Sequence, residues 1–132
     1  MPVNKMLNII QNNPLHRFLD IDIFEDASQN TVITTVVKEH LTNPGGTLHG
    51  GVIYALCDAC ASGFIGTLPE GQHAVTHDIH VSVMRPAALG AEVTFTSNIV
   101  KQGKSLCFVD VSVEVAGNVI ATARVTKSIV AA

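Results

Sequence analysis

The sequence predicts an α+β protein in which an antiparallel sheet curls around one long central helix. Three observations carry this reading. Residues 52–65 are almost all small or apolar and contain no proline; that is too long for an ordinary strand and reads as a helix buried on most sides. Two segments before it and four after it alternate between apolar and polar residues or are rich in β-branched ones, the mark of strands. Short glycine-bearing turns, Gln-Gly-Lys-Ser and Ala-Gly-Asn, join the last three segments, which makes them hairpin neighbours. A helix that is apolar all round needs walls on several sides, and a curled sheet provides them.

In chain order, residues 3–11 form a short helix, with Met6, Ile9 and Ile10 at helical spacing, ended by Asn12, Asn13 and Pro14. Residues 18–24 alternate around Leu19, Ile21 and Ile23 and form a strand, followed by a second over the β-branched residues 31–38. Residues 41–51 are a glycine-rich loop, and the helix of residues 52–65 is ended by Gly66, Pro69 and Gly71. Residues 74–84 place Val75, Ile79, Val81 and Val83 on one face and Thr76, Asp78, His80 and Ser82 on the other. After a turn at Pro86 and Gly90, strands follow over residues 91–101, 106–115 and 119–130.

The chain of 132 residues suits one domain over positions 1–132. Charged residues are 14% and hydrophobic ones 47%, which excludes a disordered chain. The apolar surplus points to a second buried surface, most simply between subunits. A net charge of −3 argues against nucleic acid as a partner. No uninterrupted apolar run approaches ~18 residues, so no membrane span is expected, and the N-terminus lacks the pattern of a leader. Three cysteines without framework spacing read as free thiols in the cytoplasm.

Cys57 and Cys60 lie inside the predicted helix, and Cys107 on an apolar strand face; all three read as small core residues, since no second Cys/His pair has zinc spacing. His73, His77 and His80 resemble a metal cluster, yet His77 and His80, three apart on a strand, point to opposite faces. No metal and no cofactor are expected. Ser62 and Ser105 lack the G-x-S-x-G context of a serine hydrolase.

Asp58 is the one charged side chain between Glu39 and Glu70. A carboxylate within an apolar helix is costly unless compensated. Tyr54 and Ser62, four residues away on each side, share its stripe. Apolar surroundings raise a carboxyl pKa and favour a base; a structural Asp bonded to a neighbouring strand fits the same pattern. At the helix start, His49-Gly50-Gly51 leaves backbone N–H groups open beside the positive end of the helix dipole. That suits an oxyanion, as it suits a loop that needs glycine only for tight packing.

Gly50 and Asp58 are eight residues apart, roughly 12 Å along a helix axis. An oxyanion donor and a base must both come within about 3 Å of the reacting centre. One helix cannot do this, but two antiparallel copies about a two-fold axis can, each bringing its N-terminus beside the other's Asp58.

The stretch Asn43-Pro-Gly-Gly-Thr-Leu-His49-Gly50-Gly51 followed by Asp58 resembles the hot-dog-fold acyl-CoA thioesterases of the phenylacetate-degradation type. Val83-Met84-Arg85-Pro86 with Gly90, and Lys101-Gln102-Gly103-Lys104-Ser105, resemble the same family. The resemblance covers roughly residues 41–129 and implies a hot-dog fold, hydrolysis of acyl-CoA, and sites shared between the subunits of a homodimer that often pairs into a homotetramer. It implies Asp58 as nucleophile or base, the Gly50 N–H and the Asn43 side chain as donors to the thioester oxygen, His49 as a loop holder or thioester contact, and Thr76 as the residue that orients the attacking water. Gly51, Tyr54 and Ser62 are expected to contact substrate. Arg85, Lys101 and Lys104 are candidates for the phosphates of coenzyme A. His80 stands where relatives often carry Asn, a departure that bears on the pocket wall and the acyl preference.

Thioester hydrolysis suits such a site because a thiolate leaves readily, so neither a triad nor a metal is needed. Two other functions share these features. A hot-dog dehydratase or hydratase would have to pair His49 with Asp58. A non-enzymatic acyl-CoA-binding module gains little from a desolvated Asp58.

Overall fold

A computed structural model describes residues 4–132; Val3, the expected start of the first helix, lies outside them. Helix α1 spans Lys5–Asn12 and is capped by the Asn4 side chain, which accepts from the Met6 N–H. Pro14 does not simply end the helical region. It opens a second short helix, α2 (Pro14–Phe18), at the position where its missing N–H costs nothing and with Asn13 as cap. The expected strand of residues 18–24 is therefore shorter and later, β1 over Asp22–Glu25. Leu19 and Ile21 are still buried, but as a link into the core rather than as strand positions.

Strand β2 is Thr31–Val36, and β3 to β6 are Gln72–Val83, Glu92–Gln102, Leu106–Val115 and Asn118–Ala131. The six strands form one antiparallel sheet in the order β1-β2-β4-β5-β6-β3. The β5–β6 turn has Ala116 and Gly117 at φ 49° and 80°, the doubly left-handed geometry that matches strand twist in a two-residue hairpin.

The central helix, α3, spans Gly50–Ala61 and continues as a 3-10 helix over Ser62–Thr67. It starts two residues earlier than expected because the His49 side chain caps it. Its α-helical part ends at Ala61, and Gly63 then approaches β2 so closely that a Cβ there would lie 1.8 Å from the Thr31 hydroxyl oxygen. Ile53, Leu56, Cys57 and Cys60 pack against Ile33, Phe95, Val109 and Val125 in one core, which gives a glycine-started helix the burial that holds it. The 18 residues Gly50–Thr67 have a mean hydropathy of 1.2. They reach the length and apolarity of a membrane span, a feature hidden in the sequence by Asp58; wrapping by the sheet accounts for that apolarity.

Strand β3 corrects the expected faces. A bulge between Thr76 and Asp78 leaves His77 as the extra residue. Ala74 and Thr76 pair with Ile129 and Lys127, and beyond the bulge Ile79 and Val81 pair with Val125 and Ala123. Thr76 therefore faces α3 together with Ile79 and Val81, while Val75 faces out. The bulge also brings His77, bonded to the Ser128 hydroxyl at 2.6 Å, to the same outer face as His80, so the two do not point to opposite sides. No three His, Cys, Asp or Glu side chains among the described residues are grouped to hold a metal.

Candidate functional site

The loop before α3 folds on itself before it presents the helix. The Asn43 side chain accepts from the Thr47 N–H at 3.1 Å and donates to the Thr47 hydroxyl at 2.9 Å. Gly46 takes a positive φ of 81° within this turn. Bridges from Thr42 to Leu48 and from Thr47 to Ala88 tie the loop down. The Met84 and Arg85 N–H groups both reach the Ile120 carbonyl, fixing the Arg85-Pro86 turn beside the loop. These pieces enclose a cleft of about 370 Å³ that contains Asn43, Gly50, Tyr54, Met84 and Arg85.

The two glycines that open α3 differ. The Gly51 N–H is taken by Nδ1 of His49 at 2.8 Å, which leaves the proton of a neutral ring on Nε2. The Gly50 N–H, at the first position of the helix, has no acceptor among the described residues, and the space where its Cβ would stand is empty. Gly50 is thus the free donor of the motif, and one Asn43 amide proton remains available beside it.

Asp58 lies at the other end of the helix and does not line that cleft. The apolar surroundings expected for it are not what it meets. Its Oδ1 accepts from the Thr76 hydroxyl at 2.5 Å and from the Lys127 ammonium at 3.0 Å. Lys127 also donates to the Ser62 hydroxyl at 2.7 Å, and that hydroxyl donates to the Asp58 carbonyl at 3.0 Å. The carboxylate is 44% exposed and the lysine only 3%. Burial pushes the Lys127 ammonium below the usual lysine range, against the opposing pull of the Asp58 charge and hydrogen bond.

Lys127 is the residue that sequence reading missed. A signal was present: in period two it falls on the inward face with Ala123, Val125 and Ile129. A lysine in that register demands a partner. Of the proposed stripe, Ser62 belongs to the Asp58 cluster and Tyr54, 49% exposed, to the Gly50 cleft. Lys101 and Lys104 are exposed beside the β4–β5 turn, at the Asp58 end of the sheet, since the β5–β6 register sets Leu106 and Cys107 opposite Ser128 and Lys127. Arg85 follows the opposite end of β3. The register from Thr76 to Val83, six steps on β6, separates the two ends by roughly 20 Å.

His80 does not touch the cleft wall. It lies on the outer face, 3.1 Å from Asp78, in a groove of about 620 Å³ with Asp110 and Arg124; its departure from the resembled pattern does not bear on a pocket beside α3. The cysteines are free and buried. Burial, with the Asp58 charge beside it, pushes the Cys57 thiol up to about 12, and burial raises Cys60 and Cys107 as well, so none is a ready thiolate.

Comparison with known proteins identifies the family and the fold. Residues 45–122 match the thioesterase superfamily. The chain is 34% identical over 109 residues to acyl-coenzyme A thioesterase 13 of Mus musculus and of Homo sapiens, spanning 81% of this chain and 78% of each relative. It is similar in structure to thioesterase superfamily member 2 from Mus musculus, with a TM-score of 0.83 and 28% identity over 97% of this chain and 98% of that one. A thioesterase from Haemophilus influenzae gives a TM-score of 0.89 at 25% identity, covering 99% and 92%. An open amide at the start of a central helix, an acid held further along it and a sheet wrapped around both are thus found in a chain that belongs to the thioesterase superfamily and has its hot-dog fold.

Proposed function

We propose that the protein hydrolyses acyl-CoA thioesters to a free acid and coenzyme A, at two equivalent centres each shared by two copies of the chain. The observation that carries this is the free Gly50 N–H in its cleft, one helix length away from the Asp58–Thr76 pair. Gly50 and Asn43 of one protomer donate to the thioester oxygen, and Asp58 of the other supplies the base or nucleophile.

In the water route, Asp58 takes one proton from water while the water oxygen bonds to the carbonyl carbon. The charge on the carbonyl oxygen is held by the Gly50 and Asn43 donors, which is worth about 10²–10³ in rate per good donor. Collapse breaks the carbon–sulfur bond, and the departing thiolate takes the proton from Asp58. In the covalent route, Asp58 attacks the carbonyl carbon directly and the thiolate leaves; water then hydrolyses the resulting anhydride to the free acid and the Asp58 carboxylate, and the proton that water releases goes to the thiolate. Thr76 holds Asp58 in either route and stands where it can orient water.

Two features support the pairing of protomers. Strand β3 is a sheet edge of 12 residues, and long open edges invite a second strand. Met84, 56% exposed, stands with Tyr54, Val75 and Val83 as apolar surface along or beside that edge. Antiparallel pairing of that edge brings the sheet end that carries Lys101 and Lys104 in one copy to the end that carries Arg85 in the other, which suits the phosphates of coenzyme A. Nδ1 of His49 accepts from the Gly51 N–H, so a neutral ring presents a protonated Nε2 and has no free nitrogen to take a proton, which argues against a dehydratase that uses His49 as its base.

Thiol release from a panel of aromatic, medium-chain and long-chain acyl-CoA thioesters tests the activity. The Asp58→Asn variant is expected to bind the preferred thioester and lose most turnover. Near-full turnover in that variant rejects the assignment of Asp58.

A further inference from the structure

Asp58 is held asymmetrically. Both of its hydrogen bonds, from Thr76 and from Lys127, end on Oδ1, and Oδ2 accepts none among the described residues. No buried side-chain oxygen among those residues lacks a partner, so Oδ2 is the atom that meets solvent. Lys127 itself is buried on the inward face of β6, between Val125 and Ile129 in register. The groups that face it are Asp58 from α3, Ser62 after α3, Thr76 from β3 and Cys107 from β5. Of these, Asp58 carries charge and Cys107 is kept as a thiol.

A buried ammonium is an expensive way to fill a core position, since an apolar side chain of similar volume is often as stabilising or more so. Its geometry explains its presence better than packing does. It reaches the one carboxylate of α3 from behind, on the oxygen that Thr76 also binds, and leaves the other oxygen open.

We propose that Lys127 is a positioning residue for the thioesterase reaction: with Thr76 it fixes Oδ1 of Asp58 and so makes Oδ2 the atom that attacks the thioester carbonyl or takes the proton from water. This rests on Asp58 being the reacting acid. Holding one oxygen by two donors sets the angle of the carboxylate plane, and a misplacement of about 1 Å in such a group costs on the order of 10²-fold in rate. Loss of the ammonium proton removes the charge from the bond to Oδ1 and weakens that hold. Because burial lowers its affinity for the proton, turnover falls on the alkaline side at a pH below that of an ordinary lysine.

The test is the pH dependence of kcat and KM for wild type, Lys127→Gln and Lys127→Met with octanoyl-CoA, or with the fastest thioester of the panel, spontaneous hydrolysis being subtracted. The expected result is an alkaline fall in wild-type kcat. Both variants should lose about 10- to 100-fold in kcat, keep KM within about threefold of wild type, and lack that alkaline fall. Wild-type kcat in either variant, or the same alkaline fall in both, overturns the proposal. Should the variants not fold, Ser62→Ala decides: it removes one acceptor of the ammonium, so the alkaline fall should move to lower pH, and an unmoved limb overturns the proposal. Asp58→Asn separates the two levels. If it keeps turnover, the reacting acid is misassigned; if it loses turnover while the Lys127 variants do not, only the positioning role fails.

Discussion

Gly50 and Asp58 occupy opposite ends of α3: the Gly50 N–H is free at the first helical position, and Asp58, eight residues on, is turned to Thr76 and Lys127. At 1.5 Å per residue they are roughly 12 Å apart along the axis. No single copy can bring both to one carbonyl, which is why the proposed centre takes one group from each of two copies.

The Gly50 donor can be removed with little change to the backbone. Proline is favoured at the first helical position, and His49 before it has φ −63° and ψ 133°, a conformation that precedes proline readily. Gly50→Pro is expected to fold with an unchanged circular dichroism spectrum and to lose about 10²–10³-fold in kcat. Stopped assays with the preferred acyl-CoA measure this; an undiminished kcat in a folded Gly50→Pro protein removes the amide from the mechanism.

Thr76 is expected to act through its hydroxyl rather than its shape. Thr76→Val keeps the branched volume at a half-buried strand position but deletes the 2.5 Å bond to Asp58. Its kcat should fall by about 10-fold or more, on the scale of a lost charge-assisted hydrogen bond of ~1.5–3 kcal/mol. Thr76→Ser should recover most of that loss, and steady-state kinetics of the pair distinguishes the hydroxyl from the methyl.

Much of this was legible in the sequence. The apolar run after His49-Gly50-Gly51 declares a buried helix, and Asp58 stands out within it because no other charge occurs between Glu39 and Glu70. Strands β4, β5 and β6 lie within one or two residues of expectation. Pro14 was ambiguous, since the residue that stops one helix also starts another well. The faces of β3 were not legible, because a bulge carries no reliable signature in a run such as Thr76-His77-Asp78 and reverses the alternation on one side of it. For Lys127 the inward position was legible from the alternation of residues 123–129, but its partner, 69 residues away, was not, because only the packing of β6 against α3 reveals it.

The lowered proton affinity of Lys127 has a consequence for stability, with a definite sign. The unfolded chain holds the lysine proton up to about pH 10.4, whereas the folded chain gives it up earlier. Between those values unfolding takes up a proton, so this group's contribution to stability rises with pH. At neutral pH, burial of the charge is a penalty. The stability difference between wild type and Lys127→Met should therefore move in favour of wild type as pH is raised from about 7 to about 10. Urea unfolding of both proteins across that range reads it, and a shift in the opposite direction contradicts the burial of a charged Lys127.

The most direct test of the shared centre is complementation between two inactive chains. Asp58→Asn and Gly50→Pro are unfolded together, refolded as a mixture, and the mixed dimer is verified by native mass spectrometry. In a mixed dimer one centre carries both defects, and the other combines an intact Gly50 with an intact Asp58. Random pairing puts half the chains in mixed dimers, so activity should return to about a quarter of wild type per centre, while each variant alone stays inactive. Mixed dimers that form but show no more activity than the separate variants would contradict a reaction centre built from two protomers.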